Sequence, residues 1–179
     1  PCYDIDRTTK DSNNESLFDQ LRWTVKCDFA ANGYRLPTES EWEYAARGGE
    51  KSNGYKYAGS NDIDEVAWAY RNLNFRHHSV GLKKPNELGL YDMTGNVEEW
   101  CWDWEKTDEN TNILKKLQNS FMNCEKNPTG PSFGSARVAR GGCYEYNDDD
   151  LLNVSHSTPY TMDDHRDYFG FRVCRSYSK

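Results

Sequence analysis

The chain reads Asn-Glu-Leu-Gly-Leu-Tyr-Asp-Met-Thr-Gly-Asn-Val-Glu-Glu-Trp-Cys-Trp-Asp-Trp from residue 86 to residue 104. At the end of this stretch, Trp100, Trp102 and Trp104 alternate with Cys101 and Asp103, so the three indoles share one face of an extended chain. The spacing predicts a β-strand with a heavily aromatic face. We interpret the tryptophans as scaffold residues, since aromatic rings at strand spacing usually pack against a neighbouring element.

The composition is that of a globular domain. The chain has 179 residues, of which 36% are hydrophobic and 14% aromatic. A chain of this length buries about 70% of its unfolded surface in one core, so we expect a single domain over residues 1–179. No apolar run approaches the ~20 residues of a membrane span. The formal charge of −7 argues against nucleic acid as the main partner.

A capping box predicts one helix after Pro37. The Thr38 hydroxyl is placed to accept from the Glu41 amide, while the Glu41 carboxylate reaches back to the Thr38 amide. Trp42, Ala45 and Ala46 then fall on one face, and Gly48-Gly49 ends a helix of about ten residues.

Most of the remaining chain predicts short strands and turns, which makes the fold class α+β and loop-rich. Residues 105–126 are polar, and we predict a surface helix there with Ile113, Leu114 and Leu117 beneath it. We expect Arg35, Arg47 and Arg140 to be held by carboxylates under loops.

Six cysteines occur without a Cys-x-x-Cys pair, which disfavours a zinc ribbon or a thioredoxin-type site. Cys2 and Cys27 flank two short apolar stretches that are able to pair as a hairpin, so a disulfide between them is geometrically feasible. The count permits disulfides without requiring them.

Three collinear blocks resemble one family. They are residues 33–49 (Gly-Tyr-Arg-Leu-Pro-Thr-Glu-Ser-Glu-Trp-Glu-Tyr-Ala-Ala-Arg-Gly-Gly), residues 86–104 as quoted, and Arg137-Val-Ala-Arg-Gly-Gly142 followed by Gly170-Phe-Arg-Val173. Together they resemble the formylglycine-generating-enzyme (sulfatase-modifying factor) domain. The resemblance implies a C-type lectin fold of that subtype. It also implies that the opening strands of the domain are absent, so that the chain is a C-terminal portion.

The resemblance also bears on catalysis. The oxidases of the family bind Cu(I) through cysteines at the fourth and ninth positions after Arg-Gly-Gly, and Tyr146 and Leu151 stand there. Neither offers the thiolate that Cu(I) prefers. Cys143 is alone nearby, and we interpret the adjacent His77 and His78 as loop residues. We therefore expect no copper and no catalytic residues.

A calcium loop of the family carries over in part. Its pattern matches Asp92, Gly95, Val97 and Glu99, which would supply two side-chain and two main-chain oxygens to one Ca²⁺. The alternative is that Asp92 and Glu99 simply bond to loop amides.

Residues 143–169, here called the acidic segment, differ in composition from the rest of the chain. They carry seven acids and one base, a charge of −6, which is also compatible with a solvated acidic loop. Tyr, Ser, Asn and Asp dominate, as they do in adaptable binding surfaces. Randomised adenines in AAC or AAT codons never give Lys, Glu, Gln, Met or Trp. These five types occupy 2 of the 27 positions inside the segment and 33 of the 152 outside.

This pattern resembles the variable proteins of diversity-generating retroelements, and especially the treponemal variable protein A type. In those proteins a stretch framed by the same two motifs is diversified. The resemblance implies a non-catalytic, ligand-binding protein on the cell surface, carried as an outer-membrane lipoprotein by an anchor upstream. The residues expected to bind the ligand are Tyr144, Tyr146, Asn147, Asp148, Asn153, Ser155, His156, Ser157, Tyr160, Asp164, His165, Asp167 and Tyr168.

The ligand is expected to be a protein or another macromolecule with a basic or amide-rich surface. Two alternatives stay open. One is a non-catalytic structural lipoprotein with a fixed sequence, because a fold alone does not determine function. The other is an oxidase of the formylglycine-generating type.

Overall fold

A computed structural model describes residues 1–72, 76–105 and 127–176. The predicted surface helix over residues 105–126 lies outside the described residues, apart from its first position. Among the described residues, no helix is long and apolar enough to cross a membrane.

A four-stranded sheet forms the centre of the fold, with strand order β6-β5-β4-β7. Strands β4 and β5 are antiparallel, as are β5 and β6, whereas β4 and β7 are parallel. The strands of the chain are β1 (Tyr3–Lys10), β2 (Trp23–Cys27), β3 (Tyr34–Arg35), β4 (Glu98–Trp104), β5 (Arg137–Arg140), β6 (Ser157–Tyr160), β7 (Phe169–Gly170) and β8 (Cys174–Arg175). Strand β4 contains the three alternating tryptophans, which confirms the predicted strand.

The helices are short. They are α1 (Glu39–Ala46) and α2 (Ile63–Val66), with 3-10 turns at Gly49–Lys51, Tyr70–Asn72 and Asp149–Leu152. Helix α1 begins with the predicted capping box: the Thr38 hydroxyl accepts from the Glu41 amide at 3.2 Å, and Glu41 accepts from the Thr38 amide at 2.8 Å. Gly48 follows with φ of 89°, a conformation that favours glycine, and the helix ends there.

The core lies between α1 and the central sheet. Trp42 and Ala46 of the helix are buried against Met93, Cys101 and Val138. A second buried cluster joins Tyr57, α2 and Leu152 of the acidic segment. The segment therefore contributes to the folded core as well as to the surface.

The three arginines for which carboxylate partners were predicted all pair with glutamates of α1. Arg35 is buried and binds both oxygens of Glu41 at 2.6 and 2.7 Å, and Arg140 is buried and pairs with Glu43. These two confirm the prediction. Arg47 also pairs with Glu43, at 2.7 Å, but on the exposed side of the helix, so its predicted place under a loop is wrong.

Strands β1 and β2 pair as an antiparallel hairpin, and Tyr3 lies opposite Cys27. Cys2 and Cys27 are both free cysteines, so the feasible disulfide between them is not formed in this structure.

Candidate functional site

The acidic segment begins after β5, contains β6 and ends at β7, and its main chain is fixed to the scaffold at both ends and in the middle. Strand β6 pairs with β5 from Ser157 to Tyr160. Other main-chain hydrogen bonds run from the Tyr144 amide to the Asn96 carbonyl (3.0 Å), from Tyr70 to Tyr146 (3.2 Å), from Val154 to Lys56 (3.1 Å) and from Glu98 to Tyr168 (2.8 Å). Because these bonds use backbone atoms, we expect them to persist when a side chain of the segment is exchanged.

Arg140, the arginine of Arg-Gly-Gly, reinforces this attachment. Its guanidinium donates to the main-chain carbonyls of His156 (2.5 Å) and Val154 (3.1 Å) and pairs with Glu43 of α1. The Arg140 side chain has no exposed surface. It therefore links the helix to the middle of the acidic segment without contacting a segment side chain through these bonds.

Gly142 lets the segment fold back closely. Its φ is 68°, and a Cβ at this position would lie 2.7 Å from the Leu152 Cδ2 atom and 3.0 Å from the Leu151 carbonyl oxygen. A side chain would therefore clash with the turn at Asp149–Leu152, which explains the glycine in physical terms.

Eleven of the thirteen predicted binding residues reach the surface. The exposed ones are Asn147, Asp148, Ser155, His165 and Asp167, and the half-buried ones are Tyr146, Asn153, His156, Ser157, Tyr160 and Asp164.

Tyr144 and Tyr168 are corrections to the prediction. Only 4% of Tyr144 and 7% of Tyr168 is exposed to solvent, and the two residues form a buried cluster with Cys143. Their rings are framework in this structure, because tyrosine's apolar body packs as readily as it binds. The Tyr144 hydroxyl bonds to Asp167, and this bond together with burial, which is the larger cause, raises the pKa of Tyr144 to about 12.

Tyr146 and Tyr160 are brought together around a residue that sequence analysis missed. Their hydroxyls are 3.1 Å apart, and the Tyr146 hydroxyl donates to Glu98 Oε1 at 3.0 Å. Glu98 is fully buried. Burial raises the pKa of the Glu98 carboxyl, although hydrogen bonds from Tyr160, Thr158 and Tyr146 partly offset the effect.

Further rings, one from the scaffold and one from the end of the acidic segment, continue this group. Tyr160 packs edge-on against Trp100 (6.1 Å between centroids) and Phe169 (4.6 Å), and Trp100 lies 4.9 Å from Phe169. Glu98 is two residues before Trp100 in β4, so the alternation that predicted an aromatic face also places Glu98 on it. That spacing was the signal available in the sequence.

A separate group forms around the turn at Asp149–Leu152. Asp149 pairs with Arg71, and Asp150 pairs with Lys56 at 2.9 Å, so scaffold bases offset part of the segment's charge. Asp148 caps the turn, and the Asn153 side chain accepts from the Ser155 amide and hydroxyl. Asn153 and Ser155 are thus partly committed to each other.

The end of the segment forms a third group. Arg166 bonds to Asp164 at 2.9 Å and to the Tyr168 hydroxyl at 2.6 Å, while the His165 ring lies 2.9 Å from the Asp163 carbonyl. His156 contacts Thr158 at 3.3 Å, and burial lowers the pKa of its imidazole.

Comparison with known proteins places this architecture in a family. The FGE-sulfatase profile, which describes the sulfatase-modifying factor enzyme 1-like domain, matches residues 10–177. The chain belongs to this family. Among solved structures, Treponema denticola variable protein 1 matches with a TM-score of 0.70 and 35% identity, covering 85% of this chain and 51% of the other.

The curated proteins that are similar to this chain include both a chaperone and formylglycine-generating enzymes. The chaperone protein LppX of Paenibacillus barcinonensis is 48% identical over 136 residues, which are 65% of this chain and 49% of LppX. The formylglycine-generating enzyme of Streptomyces coelicolor is 33% identical over 159 residues, 78% of this chain and 46% of the enzyme. The chain spans about half the length of these relatives. The predicted family, its C-type lectin-like fold and the resemblance to a treponemal variable protein are confirmed.

Residues without a thiol stand at the two positions that bind copper in FGE-type oxidases. Tyr146 is bound to Glu98, and Leu151 is half-buried. Cys143 is fully buried, and burial raises the pKa of its thiol to about 12, so it is protonated at neutral pH. Within residues 1–72, 76–105 and 127–176, no group of three or more His, Cys, Asp or Glu is arranged to hold a metal ion.

The predicted calcium ligands of the FGE-sulfatase domain are only partly available. Glu99 Oε2 accepts from the Trp42 indole (2.7 Å) and from Arg172 Nε (2.5 Å), and Oε1 accepts from Arg172 Nη2 (2.8 Å). Asp92 Oδ2 accepts from the Gly81 amide at 2.8 Å, whereas the buried Asp92 Oδ1 has no hydrogen-bond partner among the described residues.

The fit to calcium is therefore incomplete. The Arg172 guanidinium already neutralises Glu99, and it also donates to the Asp92 carbonyl at 3.4 Å. An ion held by Asp92, Gly95, Val97 and Glu99 would have to displace Arg172. The structure does not test the calcium prediction made from the sequence, and the ion pair of Glu99 with Arg172 argues against it.

His77 and His78 lie in a loop, as predicted. The His78 ring stacks on Trp68 with 3.9 Å between centroids, and its amide donates to Asn96 Oδ1 at 2.9 Å. Neither belongs to a metal-binding group in the part of the chain that the structure describes.

Proposed function

We propose that this chain is a non-catalytic, ligand-binding variable protein whose acidic segment is the diversified binding surface. One observation carries the proposal: main-chain hydrogen bonds join the segment to the scaffold at its two ends and in its middle, in addition to a few side-chain contacts, while eleven of the predicted binding side chains reach the surface. A surface that tolerates many sequences needs main-chain attachment, because a bond made by a side chain is lost when that side chain is replaced. The match to a treponemal variable protein supports the proposal.

The partner we propose is a protein or another macromolecule rather than nucleic acid. The segment presents tyrosines next to short hydrogen-bonding side chains, and such surfaces bind proteins at modest entropic cost. Its charge of −6 favours a basic partner. We further propose that the protein acts at the cell surface as an outer-membrane lipoprotein, held through a lipid anchor upstream of residue 1.

A display experiment tests the proposal. In a library of this chain, codons for Asn147, Ser155, His165 and their exposed neighbours are replaced by codons for Tyr, Asn, Asp, Ser and His. We expect most clones to stay folded and selection on immobilised hen lysozyme, a basic protein, to yield binders. Loss of folding in most clones would contradict the proposal. A matched library at the buried positions Leu152 and Val154 serves as the control and should lose folding.

A second candidate, an oxidase of the formylglycine-generating type, is favoured by 33% identity to an enzyme of that name. The protonated, solitary Cys143 and the residues at the copper positions speak against it. The enzyme hypothesis requires stoichiometric Cu(I) binding and oxidation of a cysteine in a sulfatase-like peptide. We expect neither in a Cu(I) titration followed by mass spectrometry of the peptide.

A further inference from the structure

Glu98 is a buried acid that accepts hydrogen bonds from hydroxyl groups but forms no ion pair among the described residues. It has 0% exposed surface, and its Oε2 atom makes no hydrogen bond within residues 1–72, 76–105 and 127–176. None of the ion pairs among these residues includes Glu98. A buried carboxylate that lacks a positive partner is costly, and natural proteins usually retain one for a purpose.

The rings around Glu98 belong to half-buried residues. Trp100, Phe169 and Tyr160 pack against one another with centroids 4.6 to 6.1 Å apart, and Tyr146 touches both Tyr160 and Glu98. Each of these four side chains retains partial exposure. A buried carboxyl group with one oxygen free of hydrogen bonds thus lies beneath aromatic rings that border solvent.

This combination suits one class of ligand group. Aromatic faces attract organic cations, and a desolvated carboxylate binds an ammonium or guanidinium group through short, charge-assisted hydrogen bonds. A bare metal ion would need several more oxygen ligands, which the described part of the chain does not group together here. A neutral ligand group would leave the carboxylate without a positive partner.

We propose that Glu98, with the rings of Trp100, Tyr160 and Phe169, forms a receptor for a single organic cation, the ammonium or guanidinium group of a ligand's lysine or arginine side chain. Since Glu98 has no exposed surface, the cation reaches it as the Tyr146 and Tyr160 rings part and their mutual hydrogen bond opens. Glu98 and Trp100 lie outside the acidic segment and form the fixed part of this receptor, whereas Tyr160 and Phe169 belong to the segment itself. The identification of the ligand as a protein rests on the proposed function.

Small probes test the receptor on the purified chain. We would titrate butylammonium, butylguanidinium and the neutral butyramide, and follow the ¹³C resonance of the Glu98 carboxyl and the Tyr160 ring signals. The expected result is a saturable shift with one or both cations and none with butyramide. Tighter binding of butylammonium would indicate a lysine of the ligand, and tighter binding of butylguanidinium an arginine.

Matched variants make the assignment specific. Glu98→Gln keeps the shape and the bond to Tyr146 but removes the charge, and we expect cation affinity to fall about tenfold or more. Glu145→Gln removes a charge at an exposed position of the acidic segment and should leave affinity unchanged. Phe169→Leu removes one ring and should lower the affinity for the cation by about threefold.

The proposal is overturned by the absence of a saturable shift, by equal binding in Glu98→Gln, or by equal binding of butyramide. A thermal melt confirms that each variant is folded. These titrations use one sequence and do not depend on diversity, so the receptor and the proposed function fail or succeed separately.

Discussion

The guanidinium of Arg140 donates to the main-chain carbonyl of Val154 at 3.1 Å, across the gap between strand β5 and the middle of the acidic segment. The same group pairs with Glu43 of α1. The helix that the capping box predicts and the segment that the composition singles out are therefore joined through one buried side chain. This joint acts on the backbone of the segment and uses none of its side chains.

Arg140 is expected to be far more important for stability than Arg47, although both pair with Glu43. Arg140→Ala removes a buried ion pair and leaves two carbonyls without a donor, which should cost about 3 kcal/mol of unfolding free energy. Arg47→Ala removes an exposed pair and should cost less than about 1 kcal/mol. Urea unfolding measures both. Equal effects of the two substitutions would show that Arg140 does not hold the segment.

Surface positions of the acidic segment are expected to tolerate substitution. Asn147→Tyr, Ser155→Asp and His165→Asn should each change the unfolding free energy by no more than about 0.5 kcal/mol. Leu152→Ala should cost about 2 to 5 kcal/mol, because Leu152 is buried in the second core cluster. Thermal denaturation of the four variants checks the contrast. Large losses at the three surface positions would mean that their side chains hold the fold.

Asp103 makes stability depend on pH. Burial is the main cause that raises its pKa to about 6 from an ordinary value of 3.8, while a bond from the Glu39 amide opposes the shift. A carboxyl with a raised folded-state pKa favours folding while it is protonated. Its contribution is complete below about pH 4 and is lost as the pH rises through 6.

Asp103→Asn isolates this contribution, because asparagine stays neutral and still offers an oxygen to the Glu39 amide. Between pH 3 and pH 8 the unchanged chain should lose about 3 kcal/mol of unfolding free energy that the variant keeps. The unfolding free energy of the variant minus that of the unchanged chain should therefore rise by this amount. Urea unfolding across that range gives the difference. A pH-independent difference would show that Asp103 titrates normally.

The ion pair of Glu99 and Arg172 bears on calcium binding. Because Arg172 and the Trp42 indole already satisfy Glu99, we expect about 5 mM Ca²⁺ to leave the melting temperature unchanged relative to EDTA. This concentration exceeds the dissociation constants of ~0.1 to 1 mM of the weakest protein calcium sites. A clear rise in melting temperature that disappears in Asp92→Asn would instead show that an ion displaces Arg172.

Local patterns in the sequence were sufficient for α1 and β4. The capping box uses residues three apart, and the tryptophans alternate within one strand, so both signals are contained in a few neighbouring positions. The partners of Glu98 and Glu99 were not predictable in this way. Tyr146 is 48 residues from Glu98, and Arg172 is 73 residues from Glu99.

The binding segment shows the same limit. Its composition distinguished residues 143–169, but tyrosine content alone does not say which rings pack inward. Tyr144 and Tyr168 pack with Cys143, whereas Tyr146 and Tyr160 meet over Glu98. These orientations depend on how the segment crosses the sheet, which is set by the backbone bonds to Asn96 and Glu98.

The most direct test of the central claim is deep sequencing of the 3′ end of the gene across a population of the source organism. The account predicts substitutions confined to codons of residues 143–169, concentrated at exposed positions such as Asn147 and Ser155 and at adenines of an accompanying template repeat. Arg140, Gly142 and Glu98 should be constant in the same reads. A segment as invariant as its flanks would contradict the claim, and the domain would then be a binding or structural module of fixed sequence.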